Sequence, residues 1–366
     1  MYQPRFLSPS AEVSASVYHC VSRVIDRRFV LGRDEKDVFV RMMREYEAFC
    51  GVRVLSYCVM SNHFHLLVEV PPKARGAAVE MGDDEFLKRM KTIYSKLYYL
   101  DIEQMVRRLR RQGADAAVEE FKAKYTRRMH DLSSFMKGLK QRFTQWYNGK
   151  KARKGTLWEG RFKSVLVQDG YAARVMSAYI DLNPIRAGMV EKPEDYKWSS
   201  YGEAMQPTAK RGRKLARDGY CRILAGADDF NLKREGARPL QSWGDGVAER
   251  YRMMLFTDGE EVFAERRETG GGVKQVRKGF RRQDVEKVLA KGGKLSIGEA
   301  LRCRVRYFSD GVTFGSRDFV DKVFKEARER FSEKRKTGAR PLSGVGWRKK
   351  QTRLYSMRQL VKERLE

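Results

Sequence analysis

The sequence has no apolar run of the ~18 residues that a membrane-spanning helix needs. Its opening stretch, MYQPRFLSPSAEVSAS, also lacks the apolar core of a secretion signal. The chain is therefore expected to act in the cytoplasm. Cysteine is sparse: Cys20, Cys50, Cys58, Cys221 and Cys303 are scattered, odd in number and without a Cys-x-x-Cys pair. That argues against a disulfide framework and a cysteine zinc site, and for a reducing compartment. No Walker-type phosphate loop is present, which disfavours a large nucleotide-driven machine. Acidic residues are in deficit, 47 against 76 Lys plus Arg, a net charge of +29. Such an excess predicts an anionic polymer as partner, because Lys and Arg gain affinity by releasing counterions from a phosphate backbone. A membrane surface is the weaker alternative. The chain has 366 residues, enough for a sizeable core and two or three domains.

Histidine is the scarcest chemically useful residue, with four in all. Two of them fall within one stretch, residues 52–70, VRVLSYCVMSNHFHLLVEV. Its apolar runs, 52–59 and 64–70, are rich in β-branched and aromatic residues and flank Met60-Ser61-Asn62, short enough for a hairpin turn. Alternate residues of a strand share a face. His63 and His65 therefore present two imidazoles side by side, while Phe64 points to the core. The bland reading is a solvated strand face; the sharper one is a metal site, since neutral imidazole is a common nitrogen ligand.

In chain order, 1–13 reads as a disordered lead-in and 14–25 as a strand in which His19 alternates with Val17 and Val21. A lone histidine there is more often structural, and its role stays open. Residues 34–50 carry the helical period with Asp34 able to cap and Gly51 to terminate, so the order begins β-α-β-β. Residues 75–128 read as a helical insertion built around one long basic helix over 85–112. An amphipathic helix follows over 132–147, with Lys140 and Arg142 on its polar side. After the basic turn 148–155 comes TLWEGRFK and a short strand, 164–168. Asp169 is then placed to cap a helix over 170–182 that Pro184 stops. Tyr179 and Asn183, four apart, share a face if the last turn persists.

Three ordered motifs now stand together: Met60-Ser61-Asn62-His63-Phe64-His65, then Leu157 to Lys163, then the run from Tyr179 to Gly188, YIDLNPIRAG. This combination resembles the HUH-type single-tyrosine transposases, and within them the REP-associated tyrosine transposases. The likeness spans about residues 18–201. Ser61 departs from the pattern, standing where a proline is common; this costs turn rigidity and little chemistry. The resemblance implies an α+β, ferredoxin-like or RRM-like antiparallel sheet over 14–205, interrupted by the insertion at 75–128. It further implies that the tyrosine helix docks over that sheet. It makes Tyr179 the nucleophile on a DNA phosphodiester, with His63, His65 and Asn183 ligands of Mg²⁺ or Mn²⁺. The product would be a 5′-phosphotyrosine and a free 3′-hydroxyl on single-stranded or hairpin DNA. Arg161, Lys163, Lys140, Arg142 and Arg186 are expected DNA contacts. Tyr147 and Tyr171 are rival nucleophiles; Tyr171 lacks an asparagine at i+4.

Beyond 205 the resemblance ends. Residues 206–275 read as an irregular linker with a basic loop at 207–218, a short helix within 241–256 and a flexible glycine joint at 269–272. Residues 276–335 read as three helices, near 281–291, 297–306 and 316–331, forming a mainly helical C-terminal domain. A helix-turn-helix and a small protein-contact bundle are equally open. The tail, 336–366, reads as a basic segment that orders on DNA. Two other functions fit the same residues: a non-catalytic nucleic-acid-binding regulator, and a replication initiator or relaxase. The expected partners are nucleoid DNA and no membrane, with room for a homodimer.

Overall fold

A computed structural model describes residues 6–8, 10–207, 211–225, 242–244, 246–258, 262–265, 273–277, 311–341 and 354–358. Strands β1 (Ser16–Arg23), β2 (Arg53–Val59), β3 (His63–Val70) and β4 (Lys163–Val167) form the heart of a sheet in the order β2-β3-β1-β4. All of these pairings are antiparallel. With α1 (Arg33–Cys50) between β1 and β2, and α5 (Leu132–Lys150) before β4, the four strands have the ferredoxin-like plan that the sequence predicts. Helix α1 ends at Gly51, whose φ of 65° lets its N–H reach the Glu47 carbonyl. Asp34 lies inside the first turn rather than at the cap, which is Gly32; there it complements the helix dipole.

Period-2 alternation sorts the strands' side chains into two cores. Phe64, Leu66 and Val68 go to the face covered by α1 and α5. Phe64 meets Phe39 at 4.6 Å and Trp158 at 5.3 Å between ring centroids. The opposite face, with Val17 and Leu67, packs under α6 (Tyr171–Asp181). The tyrosine helix therefore lies on the sheet face opposite α1 and α5.

The expected long helix of the insertion is two, α2 (Asp83–Ile93) and α3 (Lys96–Arg111), followed by α4 (Asp115–Thr126). The break falls at Tyr94-Ser95, where the Ser95 hydroxyl accepts from the Tyr98 N–H and restarts a helix. Arg110 and the buried Lys122 meet on Asp83 at 2.7 and 3.0 Å, tying the three helices together.

The chain beyond 205 departs most from expectation. The loop expected at 207–218 is largely helix: α9 (Arg211–Leu224) packs on β2 so closely that a Cβ at Gly219 would lie 2.5 Å from the Leu55 carbonyl oxygen. It follows two short helices, α7 (Asn183–Arg186) and α8 (Ser200–Met205). The short helix expected within 241–256 is present as α10 (Val247–Asp258), and a separate hairpin of β5 (Val262–Glu265) and β6 (Val273–Arg277) follows it. The separate helical C-terminal domain is not what the described residues form. Strands β7 (Thr313–Gly315), β8 (Arg340–Pro341) and β9 (Tyr355–Met357) extend the central sheet to seven strands, β2-β3-β1-β4-β7-β9-β8. The third expected helix exists as α11 (Arg317–Glu326), capped by Ser316 as the sequence suggests. The other two expected helices, and the glycine joint, lie outside the described residues. The N-terminal lead-in is partly built into the fold, with Phe6 buried against Phe331. Among the described residues no helix is long and apolar enough to cross a membrane.

Candidate active site

His63 and His65 lie on β3 opposite Arg23 and Val21 of β1, and Lys163 of β4 lies opposite Val21 on the other side. Opposed residues of an antiparallel pair share a face. Arg23, His63, His65 and Lys163 therefore all belong to the face that α6 crosses. The Tyr179 ring centroid is 5.8 Å from that of His65 and 6.0 Å from that of His19, edge-on to both. Residues more than a hundred apart in sequence thus converge.

His19, whose role the sequence leaves open, is fully buried in this site. Its ring stacks on His65 at 5.2 Å and 8°, with Nε2 3.0 Å from His65 Nδ1. The sequence does carry a signal, a histidine on an alternating strand face, but only the β1–β3 register shows that it meets His65. Asn62, part of the first motif but given no role by the sequence, also lies at the site. Its amide nitrogen donates to the Arg27 carbonyl at 2.9 Å, which leaves Oδ1 to accept from His63 Nδ1 at 2.6 Å. The His63 hydrogen therefore sits on Nδ1 and the lone pair on Nε2.

Burial first, and the nearby Arg23 charge second, hold the His63 pKa down to about 4. Burial likewise depresses His65, helped by the charges of His63, His19, Arg186 and Arg23. Both imidazoles are neutral at neutral pH, the state that ligates metals. Among the described residues no group of three or more His, Cys, Asp or Glu is arranged to hold a metal. The donors on offer are two neutral nitrogens on one strand face, a fit for an open-site divalent ion and better for Mn²⁺ than for the oxygen-seeking Mg²⁺.

Asn183 does not present itself as a ligand. The chain turns after Asp181, and the Asn183 amide nitrogen donates to the carbonyls of Tyr179 at 3.2 Å and Ile180 at 3.1 Å. Its Oδ1 faces Arg186 Nη1 at 3.4 Å. Arg186 also donates to the Tyr179 carbonyl at 2.9 Å and lies 4.6 Å above the Tyr179 ring. Both residues close the helix end beneath the tyrosine, so Arg186 braces Tyr179 instead of projecting to a distant phosphate.

Two expected DNA contacts are placed elsewhere. Lys140 is buried, and its ammonium donates to the Gly160 carbonyl at 2.7 Å with the Trp158 ring 5.7 Å away. Burial lowers its pKa to about 8. Arg142 spends its guanidinium on the Ile93 carbonyl, at 2.5 Å, and on Glu45. Both belong to α5, across the sheet from the histidines. The polar side of an amphipathic helix looks like solvent in sequence; here the insertion and the 156–163 turn cover it. Arg161 and Lys163 remain exposed beside the site. Alanine at Arg161 or Lys163 should each flatten the log–log salt dependence of single-strand binding by ~0.7, the share of one phosphate left unneutralised. Lys140→Met should leave that slope unchanged. Affinities measured across a salt series check this, and a reduced slope for the Lys140 variant would count against its scaffold role.

The rival nucleophiles separate cleanly. Tyr147 is buried in the other core beside Phe143. Tyr171 starts α6, eight residues or ~12 Å of helix from Tyr179.

A final cluster forms around Asp181, a residue of the third motif to which the sequence gives no role. The Asp181 side chain is buried and accepts from the hydroxyl of Tyr220 on α9, at 2.9 Å, and from that of Tyr251 on α10. Ser177 bonds the Tyr251 hydroxyl at 2.7 Å. Burial raises the Asp181 pKa to about 7, against the pull of the two tyrosine hydrogen bonds. Two C-terminal helices thus grip the helix that carries Tyr179.

Residues 12–114 match the family model described as transposase, IS200 like. No curated protein matches the chain. One solved structure, of a REP-associated tyrosine transposase bound to a REP hairpin, is similar at 15% identity and a TM-score of 0.35, covering 60% of this chain and 87% of that one. The matched segment contains β1, the paired histidines and Asn62, so this part of the chain is similar to the IS200-like transposases.

Proposed function

We propose that the chain nicks single-stranded DNA with Tyr179 and rejoins it through a 5′-phosphotyrosine. The carrying observation is the approach of the Tyr179 ring to His65 at 5.8 Å on one sheet face, with His63 beside it. Attack of the Tyr179 hydroxyl on phosphorus forms the tyrosyl ester as the bond to the 3′-oxygen breaks. The phenolic proton is given up to solvent and the departing 3′-oxygen takes one up, leaving a 3′-hydroxyl. Reverse attack by a 3′-hydroxyl restores the phosphodiester, and no nucleotide cofactor is consumed.

His63 and His65 would hold a Mg²⁺ or Mn²⁺ ion through their Nε2 atoms, and the chemistry it supplies when bound is neutralisation of the non-bridging oxygens. His19 positions His65: if His65 donates from Nδ1 to His19, its Nε2 keeps the lone pair. Asn183 could join the set only by giving up Arg186. Arg186 offers a fixed cation beside the tyrosine as a phosphate approaches. Arg161 and Lys163 would steer the strand.

The preference for hairpin-flanked sites rests on the sequence resemblance to the REP-associated branch. The non-catalytic alternative predicts binding without any adduct.

His63→Ala and His65→Ala should each lower cleavage by about 10²-fold or more, and EDTA should silence the parent. Asn183→Ala should cost less, since its oxygen already faces Arg186. Labelled hairpin DNA incubated with Mn²⁺ and run on a denaturing gel reads all four. Full activity in EDTA would remove the metal from the mechanism.

A further inference from the structure

Residues 24–31 run from the end of β1 to the start of α1. Their ends are fixed beside the histidine turn: the Val24 N–H donates to the Asn62 carbonyl at 2.8 Å and the Leu31 N–H to the Ser61 carbonyl at 3.0 Å. Val24 and Leu31 are buried, but the middle of the loop projects. Phe29 is 82% exposed, the most exposed of the large aromatic residues described, and among the described residues no ring stacks on it. Arg27 and Arg28 precede it, both exposed and without an ion pair among the described residues.

The backbone that presents them is unusual. Asp26 and Arg27 have φ of 56° and 55°, the left-handed region, in two successive residues of which neither is glycine. Such a conformation persists where its surroundings over-determine it, and such sites cluster at ligand clamps. Here the Asn62 amide holds the Arg27 carbonyl at 2.9 Å while the same side chain holds His63. One residue thus couples the loop to the proposed metal ligand.

A lone exposed ring is ordinary on a protein surface; what singles Phe29 out is the left-handed backbone that presents it and the Asn62 tie to His63. With two cations beside it in a protein of net charge +29, the complementary occupant is anionic and carries flat faces. We infer that Phe29 is a stacking platform for one unpaired base of the DNA strand entering the site, with Arg27 and Arg28 on its flanking phosphates. Stacking on a protein ring tolerates any base but requires it unpaired, so this subsite would select single strands over duplex. The inference rests on the nicking reading for the nature of the strand, and its test does not depend on chemistry.

The test measures binding by anisotropy in full-length protein carrying Tyr179→Phe, without metal, so failure of the cleavage mechanism cannot affect it. Phe29→Ala should weaken single-stranded DNA by about 5- to 150-fold, the range set by removing one base–aromatic stack. Phe29→Trp should bind as the parent does. An abasic scan of the oligonucleotide should show one position whose loss weakens the parent and not the Phe29→Ala protein. Equal affinity of Phe29→Ala and parent for the single strand would overturn the assignment. So would an equal loss on duplex DNA, or an abasic profile unchanged by the substitution.

Discussion

Replacing Tyr179 by phenylalanine is expected to abolish the covalent protein–DNA adduct, a loss of about three orders of magnitude or more, while DNA affinity stays within about threefold. The change removes one hydroxyl and keeps the ring. That ring lies edge-on to His19 and His65 and beneath the Arg186 guanidinium, and none of these contacts needs the phenolic oxygen. The helix end should also survive, since Asn183 and Arg186 bond the Tyr179 carbonyl and not its side chain. The adduct is scored on a denaturing gel and affinity by anisotropy on the same oligonucleotide. An adduct that persists, mapped to another tyrosine by peptide mass, would move the nucleophile. The geometry argues against Tyr147, in the opposite core, and Tyr171, two turns back along α6.

The features legible in the sequence are those of short range. His63 and His65 share a face because strands have a period of two, and that period holds wherever the strand pairs. Pro184 and the left-handed Gly51 act through their own backbone, so the ends of α6 and α1 fall within two residues of expectation. The misread parts depend on partners far along the chain. Lys140 looks solvated until Trp158 and Gly160 fold over it. Strands of two or three residues such as Arg340–Pro341 and Tyr355–Met357 have too few side chains to show any period, and exist because β7 on the edge of β4 offers unpaired backbone groups to β9, and β9 in turn to β8. His19 carries a signal that reads two ways. Only its register against His65 decides between them.

The same long-range packing reverses an expectation about domains. The motifs all fall before Tyr201, which suggests a catalytic unit that would fold without the remainder. We expect instead that a fragment ending at Pro207 will be insoluble or lack a cooperative melt. The core beneath α6 is completed by Tyr220, Ile223 and Leu224 of α9, Tyr251 and Leu255 of α10, and Phe314 of β7, all buried. At ~1.5–3 kcal/mol for each large side chain buried, these six represent about 10 kcal/mol, comparable to the whole ~5–15 kcal/mol stability of a typical domain. The fragment would also strip Asp181 of both tyrosine donors. A milder version of the same test keeps the chain whole: Tyr251→Phe leaves the ring and removes the donor, and should cost about 1–3 kcal/mol. Thermal melts of the fragment, the Tyr251→Phe protein and the parent should therefore fall in that order, the fragment lowest. A fragment that melts cooperatively at the parent's temperature would restore an independent N-terminal domain. The grip of α9 and α10 on the tyrosine helix would then be dispensable for the fold.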